Sequence, residues 1–180
     1  MHLVAEPLPG VKILKPPVFK DERGHFIKTF NEDQLASHGV RLDIREEFFT
    51  TSAANVIRGM HFQAPPHAHN KIIYCIKGRV IDVLLDLRAD SPTLNEFRCF
   101  TLSEANMHIA YIPIGIAHGF LSQEDGSCLV YKVDTVYAPQ SDSGVRWDSF
   151  GFEWPLSSGT PLISERDAAL PTHAEFLTPF

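Results

Sequence analysis

Two histidines and a lysine are spaced along this chain in a way that could support proton transfer beside a carbonyl group. His61 follows the sequence Arg-Gly-Met, Lys71 begins an apolar run, and His118 precedes Gly-Phe. Removing a proton from the carbon next to a ketone requires a base whose pKa lies near the working pH. It also requires a fixed cation or hydrogen-bond donor at the oxygen where enolate charge develops. We therefore assign His61 as the base and Lys71 as the group that holds this oxygen.

Inversion at that carbon needs a second group, because a different acid must return the proton from the opposite face. Tyr131 lies in the apolar run Leu-Val-Tyr-Lys-Val and has the chemistry of such an acid. A competing interpretation makes each of these side chains an ordinary core residue whose polar atoms bond to the backbone. Their joint occurrence on segments predicted to be strands of one barrel favours catalysis.

The elements that must position these residues are short β-strands. Apolar runs rich in Val, Ile, Phe and Tyr are separated by Gly, Pro, Asp and Asn, which is typical of a β-sandwich or barrel. Gly78, between two such runs, predicts a tight hairpin turn. The predicted strands are residues 11–14, 26–30, 48–51, 56–63, 71–76, 79–87, 97–102, 110–112, 118–121 and 127–134.

Two short peripheral helices are also predicted. Asn31 is placed to cap a helix over residues 32–37. Ser164, with Asp167 three residues later, forms a capping signal before a second helix over residues 168–170.

Composition places the chain among ordinary globular proteins. It has 180 residues, of which 44% are hydrophobic, and a formal net charge of −6. A chain of this length can bury about 70% of its unfolded surface in one core, so we predict a single domain over residues 1–180. The negative charge argues against nucleic-acid binding. Since neither a membrane span nor a signal sequence is recognisable, we expect a cytoplasmic protein that does not bind membranes.

The cysteines indicate a reduced protein. Cys75, Cys99 and Cys128 are odd in number, widely spaced, and each set in an apolar strand-like run. This pattern is typical of reduced thiols in a core rather than of a disulfide framework or a zinc site.

Histidines at the mouth of a barrel raise the question of a metal. Metal-binding cupins, which the barrel resembles, usually carry a His-x-His pair and then a glutamate shortly before a turn glycine. Alignment on Gly78 places Lys71 at the glutamate position and Pro65 at the first histidine. Because a protonated lysine opposes a cation, we expect a metal-free site. His67 and His69 form a His-x-His pair, but the preceding Ala-Pro-Pro predicts an exposed turn for them.

Several motifs follow one another in a characteristic order. They are residues 21–24 (DERG), 56–63 (VIRGMHFQ), 71–73 (KII), 82–88 (DVLLDLR) with 91–93 (SPT), 112–113 (IP) with 117–120 (AHGF), 131–132 (YK) with 137–139 (YAP), and 163–167 (ISERD). In this order they resemble the dTDP-4-dehydrorhamnose 3,5-epimerase family over about residues 8–172. A single motif such as Arg-Gly-x-His would be weak, but the ordered set is specific.

The resemblance implies an all-β fold, a double-stranded β-helix that forms a jelly-roll, cupin-like barrel. It implies an enzyme without metal or other cofactor, which forms a homodimer by strand exchange. The implied substrate is a nucleoside-diphosphate 4-keto-6-deoxy sugar. The implied reaction is epimerisation at C3, C5 or both by proton abstraction and reprotonation. Such enzymes supply deoxysugars, rhamnose among them, for surface polysaccharide such as lipopolysaccharide O-antigen or for glycosylated metabolites.

The resemblance also implies roles for individual residues. His61 resembles the base, Tyr131 the acid, Lys71 the group at the enolate oxygen, and Asp167 the carboxylate that orients the base and favours its protonated form. Asp167 is found only through the resemblance, since the sequence itself shows just an acidic residue near a capping signal. Arginines suit the nucleotide and its diphosphate because the guanidinium is a forked, permanent cation. The implied substrate contacts are Arg23, Lys28, Glu46, Phe48, Arg58, Gln63, His118, Tyr137, Asp142 and Arg166.

Three of these positions depart from the family pattern. Family members typically carry Glu where this chain has Lys28, and Gln and Asn where it has Glu46 and Phe48. An unpaired buried polar group typically costs about 1–3 kcal/mol, so these substitutions would alter recognition of the nucleotide. Thymidine is therefore the default nucleoside of the substrate, and a GDP, CDP or UDP sugar, or a larger sugar such as a heptose, is an alternative.

Two other functions stay open at this stage. A nucleotide-sugar 3,4-ketoisomerase would use a histidine base but would not need Tyr131 as an acid on the opposite face. A non-catalytic sugar-binding or metal-binding cupin would not require His61, Lys71, Tyr131 and Asp167 together.

Overall fold

The computed structural model describes residues 1–157 and 159–180. Its elements, in chain order, are β1 His2–Ala5, β2 Lys12–Lys15, β3 Val18–Asp21, β4 Gly24–Ile27, α1 Glu32–Ala36, β5 Glu46–Ser52, β6 Ile57–Gln63, β7 Lys71–Lys77, β8 Arg79–Asp86, β9 Phe97–Ser103, β10 Ile109–Ile112, β11 Ile116–Ser122, β12 Ser127–Val133, β13 Asp142–Gly144 and α2 Glu165–Ala168. None of the helices in these residues has the length and apolar character needed to cross a bilayer.

The strands form two facing antiparallel sheets. One sheet has the order β1-β2-β10-β7-β12-β5, and the other has the order β13-β6-β11-β8-β9. From β10 to β13 the chain alternates between the two sheets at every step. This alternation produces the double-stranded β-helix that the resemblance implies, and the all-β prediction is confirmed. Strands β3 and β4 pair only with each other, as a separate two-stranded hairpin.

Each predicted strand overlaps an observed one, and three observed strands were missed. The missed strands are β1, β3 and β13, each of three or four residues. The residues of β1 are all exposed, and those of β3 are exposed or half-buried. Such strands lack the alternation of buried and exposed positions that identifies a strand from its sequence.

The predicted hairpin at Gly78 is wrong. Gly78 has a φ of +74°, as its turn requires. The strands on either side do not pair, however, since β7 belongs to the six-stranded sheet and β8 to the five-stranded sheet. The turn therefore carries the chain from one sheet to the other. Turn chemistry alone predicts the reversal of direction but not the sheet in which the next strand pairs.

Both helix caps are confirmed. The Asn31 side chain accepts a hydrogen bond from the backbone N–H of Gln34, and the helix α1 begins at Glu32. The Ser164 side chain accepts from the backbone N–H of Asp167 in the same way. The second helix starts directly after this cap, at Glu165, rather than at residue 168 as predicted. The cap residue marks the first turn of a helix, so the helix could not start three residues later.

Apolar side chains fill three layers. The layer between the two sheets contains Leu84, Phe120 and Leu129, all buried. A second layer, on the outer face of the five-stranded sheet, is covered by the C-terminal segment through residues such as Trp154. The third packs α1 against the six-stranded sheet through Leu35.

One of the cysteine predictions is wrong. All three cysteines have free thiols, and Cys75 and Cys128 are buried, as expected for core residues. Cys99 is exposed instead, because it lies on β9 at the edge of the five-stranded sheet.

Two glycines let β6 and β11 approach closely beside the site. A Cβ added at Gly59 would lie 2.4 Å from the Cα of Gly119, and one added at Gly119 would lie 2.7 Å from the Met60 sulfur. Gly59 also has a φ of +135°, which L side chains rarely adopt. The glycines of the Arg-Gly-x-His and His-Gly-Phe motifs are therefore needed to pack the two strands that carry His61 and His118.

Candidate active site

A cavity of about 440 Å³ opens between the two sheets. It contains all but three of the residues predicted for the site. These lining residues come from both sheets and, for Tyr137 and Arg166, from segments outside the sheets. They are Glu46, Phe48, Arg58, His61, Gln63, Lys71, His118, Tyr131, Tyr137, Asp142 and Arg166. Residues that are up to 120 positions apart in sequence therefore share one concave site.

His61 is hydrogen-bonded to Asp167, which lies behind it. The Nε2 atom of His61 is 2.7 Å from Oδ1 of Asp167. The other carboxylate oxygen accepts the backbone N–H of Gly59 at 3.1 Å. Asp167 reaches this position because Leu162, five residues earlier, accepts a hydrogen bond from the backbone N–H of Ile57.

The tautomer of His61 follows from these contacts. Arg166 Nη1 is also 2.8 Å from Nε2, but a guanidinium nitrogen can only donate, so Nε2 can satisfy either Arg166 or Asp167. When Nε2 carries the proton and donates to Asp167, Nδ1 keeps its lone pair and can act as the base. Burial lowers the pKa of His61, Asp167 opposes this effect, and Arg166 and Lys71 add to it. The net direction is opposite to the protonated form that the resemblance implies, and it favours a neutral ring able to accept a proton.

Lys71 is a buried cation beside the base. Its Nζ donates to the main-chain carbonyl oxygen of His61 at 3.1 Å. Burial lowers the pKa of Lys71 to about 8, against the opposing charges of Asp82 and Asp142. Lys71 therefore stays protonated near neutral pH, in a position to stabilise an oxyanion in the cavity.

Tyr131 lies on the opposite wall of the cavity from His61. It belongs to β12 of the six-stranded sheet, whereas His61 belongs to β6 of the five-stranded sheet. Burial raises the pKa of Tyr131 well above its ordinary value, so the phenol keeps its proton. Its ring stacks on that of Phe48, with centroids 4.7 Å apart. A sugar held between the sheets would have a base on one side and an acid on the other.

Asp82 supports His118, which lines the cavity, and it was not predicted. It is fully buried on β8, and its Oδ2 is 2.8 Å from Nε2 of His118. Burial raises the pKa of Asp82, and His118 and Lys71 oppose the shift. An aspartate inside the apolar run Val-Ile-Asp-Val-Leu was the available signal, because buried carboxylates are rare unless they have a partner.

A second group of polar residues marks another part of the cavity wall. Arg166 donates to Asp142 at 2.6 Å, and the Tyr137 hydroxyl donates to the same carboxylate at 3.2 Å. The carboxylate of Glu46 accepts the backbone N–H of Tyr137 at 2.7 Å. Arg58 donates to the Ser52 hydroxyl at 3.1 Å. These contacts fix two arginines in a cavity large enough for an anionic ligand.

A model of the dTDP-4-dehydrorhamnose 3,5-epimerase family matches residues 5–175. The chain belongs to this family.

Relatives of known name agree with the family match. The chain is 39% identical to a dTDP-4-dehydrorhamnose 3,5-epimerase of Methanothermobacter thermautotrophicus, with 89% of this chain and 88% of the relative covered. It is 36% identical to the enzyme of that name from Salmonella typhimurium, with 95% and 94% covered. A crystal structure of the Bacillus anthracis enzyme with TDP and PPi bound is 36% identical, with a TM-score of 0.91 and coverage of 95% of this chain and 98% of that one. This epimerase family member therefore shares its fold with a nucleotide-bound relative.

Two of the predicted contacts, Arg23 and Lys28, lie outside the epimerase cavity. Arg23 is on the turn of the β3–β4 hairpin, with 86% of its side chain exposed and an ion pair to Asp21. Lys28 directly follows β4. Of the three departures from the family pattern, Glu46 and Phe48 line the cavity of this chain and Lys28 does not.

The expected exposed turn for His67 and His69 is wrong. Both residues are half-buried, and His67 Nδ1 is 2.9 Å from the Ser141 hydroxyl. His69 lines the cavity. Within residues 1–157 and 159–180, no group of three or more His, Cys, Asp or Glu side chains is arranged to hold a metal ion. The Ala-Pro-Pro turn is present, but the segment after it folds inward against the site.

Proposed function

We propose that this protein epimerises C3, C5 or both of a nucleoside-diphosphate-linked 4-keto-6-deoxy sugar. The observation that carries this proposal is the placement of His61 and Tyr131 on opposite sheets of one cavity, with Lys71 between them in the chain and buried beside the base. Membership in the epimerase family supports it independently.

The residues suggest one sequence of proton transfers. Nδ1 of His61 removes the proton from the carbon next to the C4 ketone, and the electrons of that C–H bond move onto the C4 oxygen. The ammonium of Lys71 stabilises the resulting enolate. The Tyr131 hydroxyl then gives its proton to the opposite face of the carbon, and the enolate returns to a ketone. The tyrosinate takes a proton from solvent, and the protonated His61 releases one to solvent. Asp167 holds the Nε2 proton throughout and so keeps Nδ1 available.

The substrate that we propose to assay first carries dTDP, since the Bacillus anthracis relative binds TDP. Glu46 and Phe48 make the nucleotide a point to test, because they line the cavity at positions that depart from the family pattern. GDP, CDP and UDP sugars should therefore be compared in the same assay. The part of the cavity that acts on the sugar is formed by His61, Lys71 and Tyr131, so the proposed reaction does not depend on which nucleotide is bound.

The deciding experiment is NMR of the nucleotide sugar with enzyme in D2O. Deuterium should enter C3, C5 or both, and the change in ring coupling constants should report inversion at the same carbon. The His61→Ala variant should lose the exchange. Exchange at the wild-type rate in that variant would contradict the role of His61 as base.

The 3,4-ketoisomerase is less well supported, because it does not use an acid on the opposite face and Tyr131 lies opposite His61. The same spectra distinguish the two reactions, since a ketoisomerase moves the carbonyl to C3 and an epimerase leaves it at C4. The cytoplasmic location stays a prediction from the sequence.

We further infer a homodimer in which the β3–β4 hairpin of each protomer contributes Arg23 and Lys28 to the partner's cavity. The hairpin pairs with neither main sheet and exposes Phe19 and Phe26 by 59% and 57%. Large apolar side chains of this exposure on an isolated hairpin are typical of a protein contact.

Mixing two inactive variants tests the shared site. In a hybrid of Arg23→Ala and His61→Ala protomers, one of the two sites would receive an intact His61 from one protomer and an intact Arg23 from the other. Random reassociation should then restore about a quarter of the wild-type sites, because half of the dimers are hybrids with one good site each. The absence of any recovery after verified mixing would contradict the exchange.

A further inference from the structure

Thr50 is a polar residue of the cavity wall that the proton transfers described above do not use. It lies on β5, the edge strand of the six-stranded sheet, and lines the cavity together with Phe48 and Tyr131. In the pairing of β5 with β12, Phe48 is opposite Tyr131 and Thr50 is opposite Leu129. Thr50 and Tyr131 are therefore diagonal neighbours, and at this spacing an aromatic side chain can reach the residue across the pair.

The hydroxyl of Thr50 is buried and unpaired. Its Oγ1 atom has no hydrogen-bond partner of ordinary geometry in the part of the chain that the structure describes. The guanidinium of Arg58 is close to this segment, but it donates to the Ser52 hydroxyl and to the main-chain oxygen of Thr51. Because a ligand in the cavity cannot reach a buried atom, the group that this hydroxyl can serve is a neighbouring side chain.

Tyr131 is the side chain that this hydroxyl can serve. Burial raises the pKa of Tyr131, and the nearby Thr50 hydroxyl opposes this rise, because a donated hydrogen bond favours the charged form. Asp82 adds to the rise, and Arg58 opposes it. The hydroxyls of Thr50 and Tyr131 are thus close enough to interact, although they are not aligned as a hydrogen bond in this structure.

The protonation state of Tyr131 decides when this contact matters. As a phenol, Tyr131 offers its own proton to the cavity, and its oxygen carries no charge. Once the proton has been given to the sugar carbon, a charged oxygen is left in a buried site, where it is costly unless a donor stabilises it. The hydroxyl hydrogen of Thr50 can rotate to supply that donor.

We propose that the Thr50 hydroxyl donates a hydrogen bond to the oxygen of Tyr131 as that oxygen gives up its proton, and so stabilises the tyrosinate that remains. Thr50 is then a positioning residue that acts through the acid and does not touch the substrate. The stack of the Tyr131 ring on Phe48 holds the ring in place during this step. The proposal rests on the proposed function, because it takes Tyr131 to be the acid.

Two substitutions of Thr50 isolate its hydroxyl. Thr50→Val keeps the branched shape of the side chain and removes the hydroxyl, whereas Thr50→Ser keeps the hydroxyl and removes a methyl group. The ionisation of residue 131 can be measured without turnover when Tyr131 is replaced by a difluorotyrosine, whose phenol is more acidic than that of tyrosine. Its fluorine NMR signal is followed against pH in the otherwise wild-type protein and in both Thr50 variants.

The expected result is a higher pKa of residue 131 in Thr50→Val alone. Loss of one hydrogen bond to a charged group should raise this pKa by about 1 to 2 pH units, and Thr50→Ser should leave it nearly unchanged. The melting temperature of Thr50→Val should be equal to or above that of wild type, because an unpaired buried hydroxyl has been removed. An unchanged titration in Thr50→Val would overturn the proposal.

Catalysis provides a second measurement. Thr50→Val should exchange deuterium on the face of His61 near the wild-type rate but form epimer about 10- to 150-fold more slowly, and Thr50→Ser should stay within about threefold of wild type. Since Thr50 acts only through the phenol, adding Thr50→Val to Tyr131→Phe should cause no further loss. A loss in that background as large as in wild type would also overturn the proposal, because Thr50 would then act on the substrate or on the fold.

The fluorine titration keeps the two proposals apart. It does not depend on turnover, so it tests the contact between Thr50 and residue 131 even in a protein that proves inactive. A wild-type protein that neither exchanges deuterium nor forms epimer contradicts the proposed function. An unchanged titration in Thr50→Val contradicts the role of Thr50.

Discussion

Replacement of Asp167 by Asn should damage catalysis by changing the tautomer of His61. The two carboxylate oxygens of Asp167 have separate tasks, since Oδ1 faces His61 Nε2 at 2.7 Å and Oδ2 accepts the backbone N–H of Gly59 at 3.1 Å. Asparagine has the same shape but only one acceptor oxygen. If this oxygen accepts from Gly59, the amide NH2 faces Nε2, which must then accept, and the proton of His61 moves to Nδ1. The base is then blocked.

The magnitude follows from the cost of the alternative orientation. Turning the amide so that its oxygen faces His61 would leave the buried N–H of Gly59 against an NH2 group, at a cost of about 1–3 kcal/mol. This cost corresponds to a roughly 5- to 150-fold lower population of the productive tautomer. Loss of the carboxylate charge reduces the basicity of His61 further, and a general base contributes about 10²- to 10⁴-fold to rate. We therefore expect a 10- to 10⁴-fold loss of deuterium exchange.

The assay is the rate of deuterium incorporation at C3 and C5 by NMR, per folded molecule, at a fixed pH. Asp90→Asn is a matched control, because Asp90 is exposed and lies outside the residues that line the cavity. It should exchange at the wild-type rate. The Ser164 cap contacts only the backbone of Asp167, so α2 should persist in the variant and its circular dichroism should be unchanged. Exchange by Asp167→Asn at more than half the wild-type rate would refute the role of Asp167 in setting the tautomer.

Three further predictions concern the acid, the pH profile and metal. Tyr131→Phe should still exchange deuterium on the face of His61 but form about 10²- to 10⁴-fold less epimer, and an unchanged epimer yield with a lower melting temperature would make Tyr131 a core residue only. The acid limb of the pH profile of kcat/KM should lie below pH 6.5, the ordinary pKa of histidine, because the pKa of His61 is lowered and its ring must be neutral. The value of kcat/KM should decrease again on the alkaline side, as Lys71 loses its proton at about pH 8. Lys71→Arg should remove the alkaline decrease, and a decrease that persists would assign it to another group. Activity should survive exhaustive chelation, because an ammonium stands where metal-binding cupins have a carboxylate; loss of activity that is restored by one added metal would contradict this prediction.

Much of the fold was predictable because strand patterns are local. Alternating or continuous apolar runs over four to eight residues identify strands such as β6, β8 and β12, and side-chain caps identify where α1 and α2 begin. The order of strands within a sheet is not local, and the turn at Gly78 shows why. The same turn residue serves a hairpin or a crossing between sheets, and only the burial of both strands against different partners decides between them.

Part of the site was predictable for the same reason. His61, Lys71 and Tyr131 could be assigned from the chemistry of enolate formation together with their strand positions. Asp82 was not assigned, because a buried carboxylate on one strand acquires its role only from its neighbour. The His118 that pairs with Asp82 is 36 positions away.

The amino-acid sequence by itself determined the all-β class, the caps of both helices and the family, since these depend on residue types at short spacing or in a fixed order. Only the tertiary structure decided which walls of the cavity carry His61 and Tyr131, that burial outweighs Asp167 in setting the pKa of His61, and that His69 lines the cavity instead of lying in an exposed turn. The physical reason is that desolvation, charge coupling and hydrogen-bond geometry depend on distances of a few ångströms between distant segments, such as those of His61 and Asp167, which are 106 residues apart.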